Sequence, residues 1–551
     1  MPIKHTRTLS IILIAFLGFV IYINSLGGDF MWDDFHLVHN NTHIKSWSNL
    51  IKIFTGSIGT GAGRTYHMYR PIQSLTYMID YTFWKLNVVG YHLGNVFWHI
   101  VVALCIYWLI SILYRKEFLS LVTSLIYVVH PLHTEAIAYI AGRADCLAAA
   151  FSLLTFIYYI KDNSKPSPRL FIMSLLCYAL AILSKEQGML LPPLFLLYSY
   201  VFKKKVDFRK IAAFAALTIG YAVLRVTALS GLLKDIINET TVFDRLPGFF
   251  VSITNYVRLL FLPFNLHMEY GEKLFPLSDP RAIIGILIVV VSFTIAIIKR
   301  NKNNLILFSV GWFFVTLLPY SNVVAINAYM AEHWVYVPSI GFFLLLASGL
   351  NHIYNIKKLK PLAVALIVGL LVFYSSIAIK QNSYWSNPMK FYHRQLEFVR
   401  DSEVVYNNLG VLYAKKSEWE KAIQYFKDSI NVRYSYSDPY FNLGKAYSEL
   451  GKYRDAISYY QSGLKFSKDM VAVSNYHKIG YLYSELGMYD KALEYLKKSV
   501  EADPNYGEGY IALAIMYYNA KEYRLAKNFY SKAKALGFSN NDLEMALKGV
   551  E

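Results

Sequence analysis

Residues 91–140 read YHLGNVFWHIVVALCIYWLISILYRKEFLSLVTSLIYVVHPLHTEAIAYI. They hold two apolar runs, 91–113 and 118–140, with Arg115, Lys116 and Glu117 between them. Each run is long enough to cross the hydrocarbon of a bilayer, so the stretch reads as a transmembrane helical hairpin. Further apolar runs lie near 8–26, 146–160, 170–184, 188–202, 211–230, 282–298, 305–320, 334–350 and 361–379, some only when flanking residues are counted. The expectation is therefore about eleven spans. Segment 249–264 carries Asn255 and Arg258 and ends at Pro263, and is expected to be interfacial or re-entrant.

Composition agrees. Of 551 residues 55% are hydrophobic and 17% charged, well below the roughly 25% charged residues of soluble domains. The 46 tyrosines and 35 phenylalanines suit a large membrane–water boundary. The net charge of +18 is not a nucleic-acid footprint, because from Lys380 onward the balance is only about +4. The excess sits in short loops: 114–117, 161–169, 203–210, 298–304 and 351–360. Basic short loops stay in the cytoplasm, and a cytoplasmic N-terminus followed by eleven spans puts every one of them there. Lys4 and Arg7 precede the first run without a small-x-small cleavage site, so that run is expected to be an uncleaved span. The odd count leaves everything after residue 380 outside. Cys105, Cys146 and Cys177 fall in apolar runs without metal or disulfide spacing and are expected to be small core residues.

From Tyr406 the pattern changes. Leu409-Gly410-x-x-Tyr413 recurs as Leu443-Gly444-x-x-Tyr447, Ile479-Gly480-x-x-Tyr483 and Leu513-Ala514-x-x-Tyr517. A second track, Ala422, Ala456, Ala492 and Ala526, follows an aromatic three residues earlier each time, and Asp-Pro at 438–439 and 503–504 marks two unit boundaries. This is the tetratricopeptide period, and such repeats stack into a solenoid with a concave binding face. The fold expected is thus all-α: a polytopic membrane helical domain over 1–380, a connector over 381–405, and about four repeats forming an α-solenoid over 406–551.

Polar residues at the edge of a bilayer are costly unless paired or functional. Asp33-Asp34 follows the first span directly, in a long outer loop (27–90) whose Trp32, Trp47, Phe54 and Trp84 suit helices lying on the membrane surface. Adjacent carboxylates there could act as a general base or bind a divalent ion, or simply cap a helix. His130, His133 and Glu135, followed by Arg143 and Asp145, form a second constellation. Its spacing matches no zinc signature, and on a helix Glu135 lies well round from the two histidines. His92, Asn95 and His99 make a polar stripe on one span. Arg70, Lys185 with Glu186, and Glu332 with His333 also fall at outer ends. A fixed cation there can hold a lipid phosphate, though Lys185 could equally pair with Glu186 or snorkel. No Gly-rich phosphate loop or nucleophile elbow is present, so a membrane-borne donor fits better than a nucleotide sugar.

The blocks Trp-Asp-Asp at 32–34, Tyr-Arg-Pro at 69–71, Gly-Tyr-His-Leu-Gly-Asn-Val at 90–96, His-Pro-Leu-His-Thr-Glu-Ala at 130–136 with Gly-Arg-Ala-Asp at 142–145, Ser-Lys-Glu-Gln-Gly at 184–188, and Ala-Glu-His-Trp-Val-Tyr-Val-Pro-Ser at 331–339 resemble the transmembrane and tetratricopeptide-repeat (TMTC-type) proteins of the GT-C glycosyltransferase class. The resemblance covers almost the whole chain. It implies a polyprenyl-phosphate sugar donor and, in eukaryotic members, transfer of mannose to protein hydroxyls. It places the catalytic base at Asp33 or Asp34 without deciding between them and matches a further acidic residue to Glu135; of the pair, Asp34 is slightly favoured here. The usual Glu-Arg of the last block is Glu332-His333 here, and only about four repeats follow.

The expected reaction is an inverting displacement. The donor phosphate rests near Arg70, Lys185 and His92, and His130, His133, Arg143, Asp145, Glu186 and Glu332 line the rest of the pocket. No organic cofactor is called for and a divalent cation is optional. Expected partners are the lipid-linked donor, membrane lipid and a polypeptide acceptor held by the repeats. The expected location is the cell membrane in a prokaryote or the endoplasmic reticulum in a eukaryote, with the repeats extracytoplasmic. The competing readings are transfer to lipid or cell-wall glycan, and a non-enzymatic membrane scaffold that displays the repeats.

Overall fold

The computed structural model describes residues 3–64, 66–229, 240–271, 273–326, 328–467 and 469–550. It is all-helical, with no strand among those residues, and divides into two compact units, Met1–Phe391 and Tyr392–Glu551.

In the first unit α1 (Ile3–Tyr22) leads into a loop region holding a π-helical turn at Phe35–His39, α2 (Leu50–Thr55) and α3 (Pro71–Trp84). This region has its own small core of Phe30, Leu37, Val38, Ile44, Ile53, Tyr77 and Tyr91, with Phe54 packed against it. Trp47 and Trp84 remain exposed. The main bundle follows: α4 (Val88–Tyr114), α5 (Glu117–Val129), α6 (Thr134–Ala138), α7 (Arg143–Ser164), α8 (Pro168–Ser184), α9 (Leu191–Val201), α10 (Phe208–Ala228), α11 (Val242–Phe261), α12 (Pro280–Lys299), α13 (Asn304–Leu317), α14 (Ser339–Asn355) and α15 (Lys360–Trp385).

Six helices are each long and apolar enough to cross a membrane: Arg7–Ser25, Val88–Tyr114, Ile140–Ser164, Phe208–Ala228, Pro280–Lys299 and Lys357–Trp385. Five of the eleven expected spans do not meet that description alone. The run 118–140 is broken by a 54° bend between α5 and α6, where Pro131 has no N–H to continue the ladder. The runs behind α8, α9, α13 and α14 form helices of 17, 11, 14 and 17 residues. Ser230, the last residue of another expected span, lies outside the described residues.

Helix α11 is longer than its apolar part, because Thr241 and Asp244 form a capping box at its start. Near that start Arg245 donates to the carbonyls of Asn322 (3.0 Å) and Val323 (3.1 Å) beyond α13. Midway, Thr254 donates to the Arg281 carbonyl at the head of α12 (2.7 Å). At its end, Leu260 O accepts from His130 Nε2 (3.2 Å), just past α5.

All three cysteines are buried and free.

Beyond α16 (Pro388–Phe398), the second unit is a run of antiparallel pairs: α17 (Glu403–Lys415) with α18 (Trp419–Val432), α19 (Asp438–Glu449) with α20 (Tyr453–Leu464), α21 (Asp469–Glu485) with α22 (Tyr489–Ala502), and α23 (Gly507–Asn519) with α24 (Tyr523–Ala535). The short α25 (Asn541–Lys548) buries Leu543 and Leu547 against the last pair. The four phased alanines are fully buried. A Cβ at Gly410 would collide with Phe426, and one at Gly444 would sit 2.8 Å from Tyr460. The small positions thus set how closely the paired helices approach.

Candidate active site

One end of the bundle gathers most of the singled-out polar residues, and it is built around the corner from α6 to α7. A Cβ on Gly142 would lie 2.7 Å from Glu135 O, so the corner closes only with glycine. Asn95, on the polar stripe of α4, holds the corner by donating to the carbonyls of Ile137 (3.1 Å) and Tyr139 (2.9 Å). Its own oxygen accepts from Arg143 Nε (2.7 Å). Arg143 also donates to Tyr91 O (2.6 Å), pairs with Asp80 and lies over the Tyr77 ring. This cation is spent on architecture.

The two aspartates divide sharply. Asp34 is 1% exposed. Its Oδ2 accepts from Met31 N–H (3.2 Å) and its Oδ1 from Ala141 N–H (2.8 Å), which ties the loop to the corner. Burial pushes its carboxyl well above the ordinary range, against the pull of those two N–H groups. Asp33 is partly exposed. Its N–H donates to Tyr139 OH (3.0 Å), and its Oδ1 accepts from Tyr66 OH (3.2 Å). Burial raises this carboxyl too, while the Tyr66 and Tyr139 hydroxyls and the charge of Arg70 hold it partly down. The geometry thus reverses the sequence preference: Asp34 is a clamp with both oxygens occupied, and Asp33 is the accessible carboxylate.

The cations expected to hold phosphate are already paired. Arg70 donates Nε and Nη2 to the Glu186 carboxylate at 3.2 and 3.3 Å. Burial pushes the Glu186 carboxyl up, but the Arg70 guanidinium overcomes this and brings it down to about 2. Lys185 pairs with Asp145 at 2.7 Å, not with its neighbour Glu186, and both members are buried. A phosphate would have to exchange with these carboxylates. His92 is also removed from that role: Nε2 lies on Gly28 O (3.1 Å), and the buried Nδ1 has no partner.

The second constellation does not converge on a metal. His130 spends Nε2 on Leu260 O and Nδ1 on Leu132 N–H (3.3 Å). His133 lies 3.0 Å from both Tyr127 O and Ser339 Oγ. Glu135 turns away to His333, accepting from its N–H (3.1 Å) and meeting its Nδ1 (2.9 Å). Glu332, buried beside it, accepts from His267 N–H (2.6 Å) and Tyr270 OH (2.9 Å). Among the described residues no group of three or more His, Cys, Asp and Glu side chains is arranged to hold a metal.

A cleft is lined by Ala148, Ser152, Leu191, Trp312, Thr316 and Val337, together with Gln187. The buried Gln187 Oε1 has no partner. Each wall rises into the polar cluster. Ala148 is a turn below Asp145, Gln187 follows Glu186, Thr316 is a turn below Tyr320, and Val337 follows His333 by four residues. Tyr320 stacks on Trp334, next to His333, with ring centroids 4.7 Å apart, and feels the charges of Arg70, Glu186 and Asp145.

With this geometry, comparisons with known proteins become informative. Tetratricopeptide-repeat family models match residues 401–469 and 473–506. A Caenorhabditis elegans protein O-mannosyl-transferase is 25% identical over 78% of this chain and 63% of its own length. The mouse protein O-mannosyl-transferase TMTC3 is 24% identical over 75% of this chain and 50% of its own. The human TMTC4 is 24% identical over 75% and 65%.

The chain is similar to the TMTC protein O-mannosyl-transferases. The resemblance read from the sequence is borne out, and the chain spans about half to two thirds of the length of these curated relatives. Among solved structures, that of MamA matches at 21% identity over 27% of this chain and 86% of that one, with a TM-score of 0.26.

Sequence reasoning missed Asp80, Tyr139 and the link from Glu135 to His333. Asp80 had left a signal, as the only charged residue of α3. Tyr139 had left none.

Proposed function

We propose that the chain is a membrane glycosyltransferase that moves a sugar, mannose by analogy with the named relatives, from a polyprenyl-phosphate donor to a protein hydroxyl. The observation that carries this reading is the cleft: an apolar slot between helices that includes Gln187, next in sequence to the paired Lys185 and Glu186, while the partly exposed Asp33 lies within electrostatic reach of Arg70, the partner of Glu186. An apolar tail fits the slot, and its phosphate then meets Gln187 and the Arg70–Glu186 and Lys185–Asp145 pairs. Asp33 removes the proton of the acceptor hydroxyl as its oxygen attacks the anomeric carbon from the face opposite the phosphate, inverting that centre. Positioned base catalysis of this kind contributes roughly 10²–10⁴-fold. Asp34 holds the loop that carries Asp33. The repeats engage the acceptor polypeptide on the extracytoplasmic side.

The test is reconstitution of the full chain with a polyprenyl-phosphate [³H]mannose and a Ser/Thr-rich polypeptide. Label should pass to the polypeptide, and Ala148→Phe, which fills the slot, should raise the KM for donor. Transfer from a nucleotide sugar in the absence of the lipid-linked donor, or label appearing on lipid alone, would refute the reading.

A further inference from the structure

The mechanism above leaves the departing phosphate without a proton source. As the C1–O bond breaks, the phosphate gains negative charge. Yet Arg70, Lys185 and Arg143, the cations expected at this end, each face a carboxylate partner. His333 is different. Its side chain is 27% exposed. A carboxylate only accepts, so the 2.9 Å contact with Glu135 requires the proton to sit on Nδ1. The second Glu135 oxygen takes the His333 N–H, which fixes backbone and ring together. Nε2 then has no hydrogen-bond partner among the described residues, and the carboxylate behind Nδ1 fixes the ring so that Nε2 is the nitrogen left to meet a substrate.

Resting on the function proposed above, we infer that His333, oriented by Glu135, is the general acid of the transfer, giving its Nε2 proton to the leaving phosphate oxygen. The balance is simple. The acceptor oxygen forms the new bond to C1 and its proton goes to Asp33. The C1–O bond to phosphate breaks, its electron pair stays on that oxygen, and the oxygen takes the Nε2 proton. Asp33 and His333 then exchange protons with water to reset the site.

Position supports the assignment. His333 lies four residues before the cleft-wall residue Val337 and next to Trp334, whose partner Tyr320 is within electrostatic reach of Arg70, Glu186 and Asp145. Several titratable groups pack near it, and each has a partner of its own. Glu135 faces it directly, and His133 on the preceding turn is held by Tyr127 O and Ser339. Tyr256 of α11 bonds Ala331, Tyr320 stacks on Trp334, and Glu332 is engaged by Tyr270 and His267 N–H. Imidazole is the side chain whose ordinary titration falls between pH 5 and 8, so the assignment leaves a pH signature.

The experiment is a pH profile of kcat from pH 5.5 to 9, with the reconstituted full chain, a polyprenyl-phosphate mannose and a Ser/Thr peptide. Wild type should lose rate on the alkaline side. His333→Gln should lower kcat by about 100-fold with a smaller change in donor KM, and the alkaline limb should disappear. His333→Arg keeps a positive N–H donor that does not titrate, and should recover rate at pH 9 relative to the Gln variant. Glu135→Gln should weaken the limb without abolishing binding of polyprenyl phosphate, the product, which also reports folding. A His333→Gln enzyme with the wild-type profile overturns the inference. If Asp33→Asn still transfers, or polyprenyl phosphate does not bind the wild-type protein, the underlying function fails instead.

Discussion

Replacing Asp34 by asparagine separates a clamp from a base. Both Asp34 oxygens accept backbone N–H groups, from Met31 at 3.2 Å and Ala141 at 2.8 Å. Asparagine can satisfy one of them. Its amide must then point N–H at the other N–H, leaving two donors facing each other in a site that is 1% exposed. A buried unsatisfied donor costs about 1–3 kcal/mol, and hydrogen bonds to a charged group are worth about 1.5–3 kcal/mol. The expected loss is therefore about 2 kcal/mol of local stability, spent at the tie between the loop and the α6–α7 corner. Asp33→Asn breaks no such pair of backbone bonds, since its partly exposed carboxylate is met by hydroxyls, Tyr66 OH at 3.2 Å and Tyr139, which can turn to either side-chain group. Its expected cost is in rate, roughly 10²–10⁴-fold in kcat. Both variants are assayed in the same detergent for thermal midpoint and for transfer from a polyprenyl-phosphate mannose. Asp34→Asn should lower the midpoint and keep part of the rate, and Asp33→Asn should do the reverse. A stable but inactive Asp34→Asn protein beside an active Asp33→Asn protein would refute the assignment of roles.

Three further outcomes are expected. Lys185→Met strands the Asp145 carboxylate, and breaking a buried pair costs about 3–5 kcal/mol; the double variant Lys185→Met with Asp145→Leu should recover part of the midpoint. Glu186 is held down to about 2, so its contribution with Arg70 is present above the ordinary carboxyl range and lost only as pH falls through about 2. A fall in transfer above pH 4 therefore belongs to Asp33, whose carboxyl is pushed upward, and Glu186→Gln should leave that acid limb in place in a pH–rate profile. Removing residues 392–551 should leave a protein that inserts and binds polyprenyl phosphate but transfers poorly to polypeptide, as read by binding and transfer assays side by side.

Much of this was legible in the chain. The phase of Leu409, Leu443, Ile479 and Leu513 gave the helix pairs because small and aromatic positions report packing directly. The stripe His92, Asn95, His99 was visible because polar groups on an apolar span must find partners. The partners themselves were not visible. Lys185 choosing Asp145 over adjacent Glu186, and Arg70 choosing Glu186 across 116 residues, are decided by which helix ends meet. Asp33 and Asp34 look alike in sequence and differ only in the backbone N–H groups around them. The bend at Pro131 was not visible either, because hydropathy registers an apolar run whether it is one straight helix or two pieces meeting at an angle.

The end of α15 bears on how this protein can be dissected. Hydropathy stops at residue 379, and a fragment cut there would look complete. It would lack Gln381, which donates to Leu266 O (3.3 Å), and Asn382, which donates to Ile21 O (2.8 Å). It would also lack Trp385, whose ring stacks on Tyr139 with centroids 5.4 Å apart, and Tyr139 in turn holds the Asp33 N–H. Polar residues just past the last apolar turn thus fasten the first helix to the last and steady the aspartate from behind. A fragment meant to retain chemistry has to run to Phe391, where the compact unit ends.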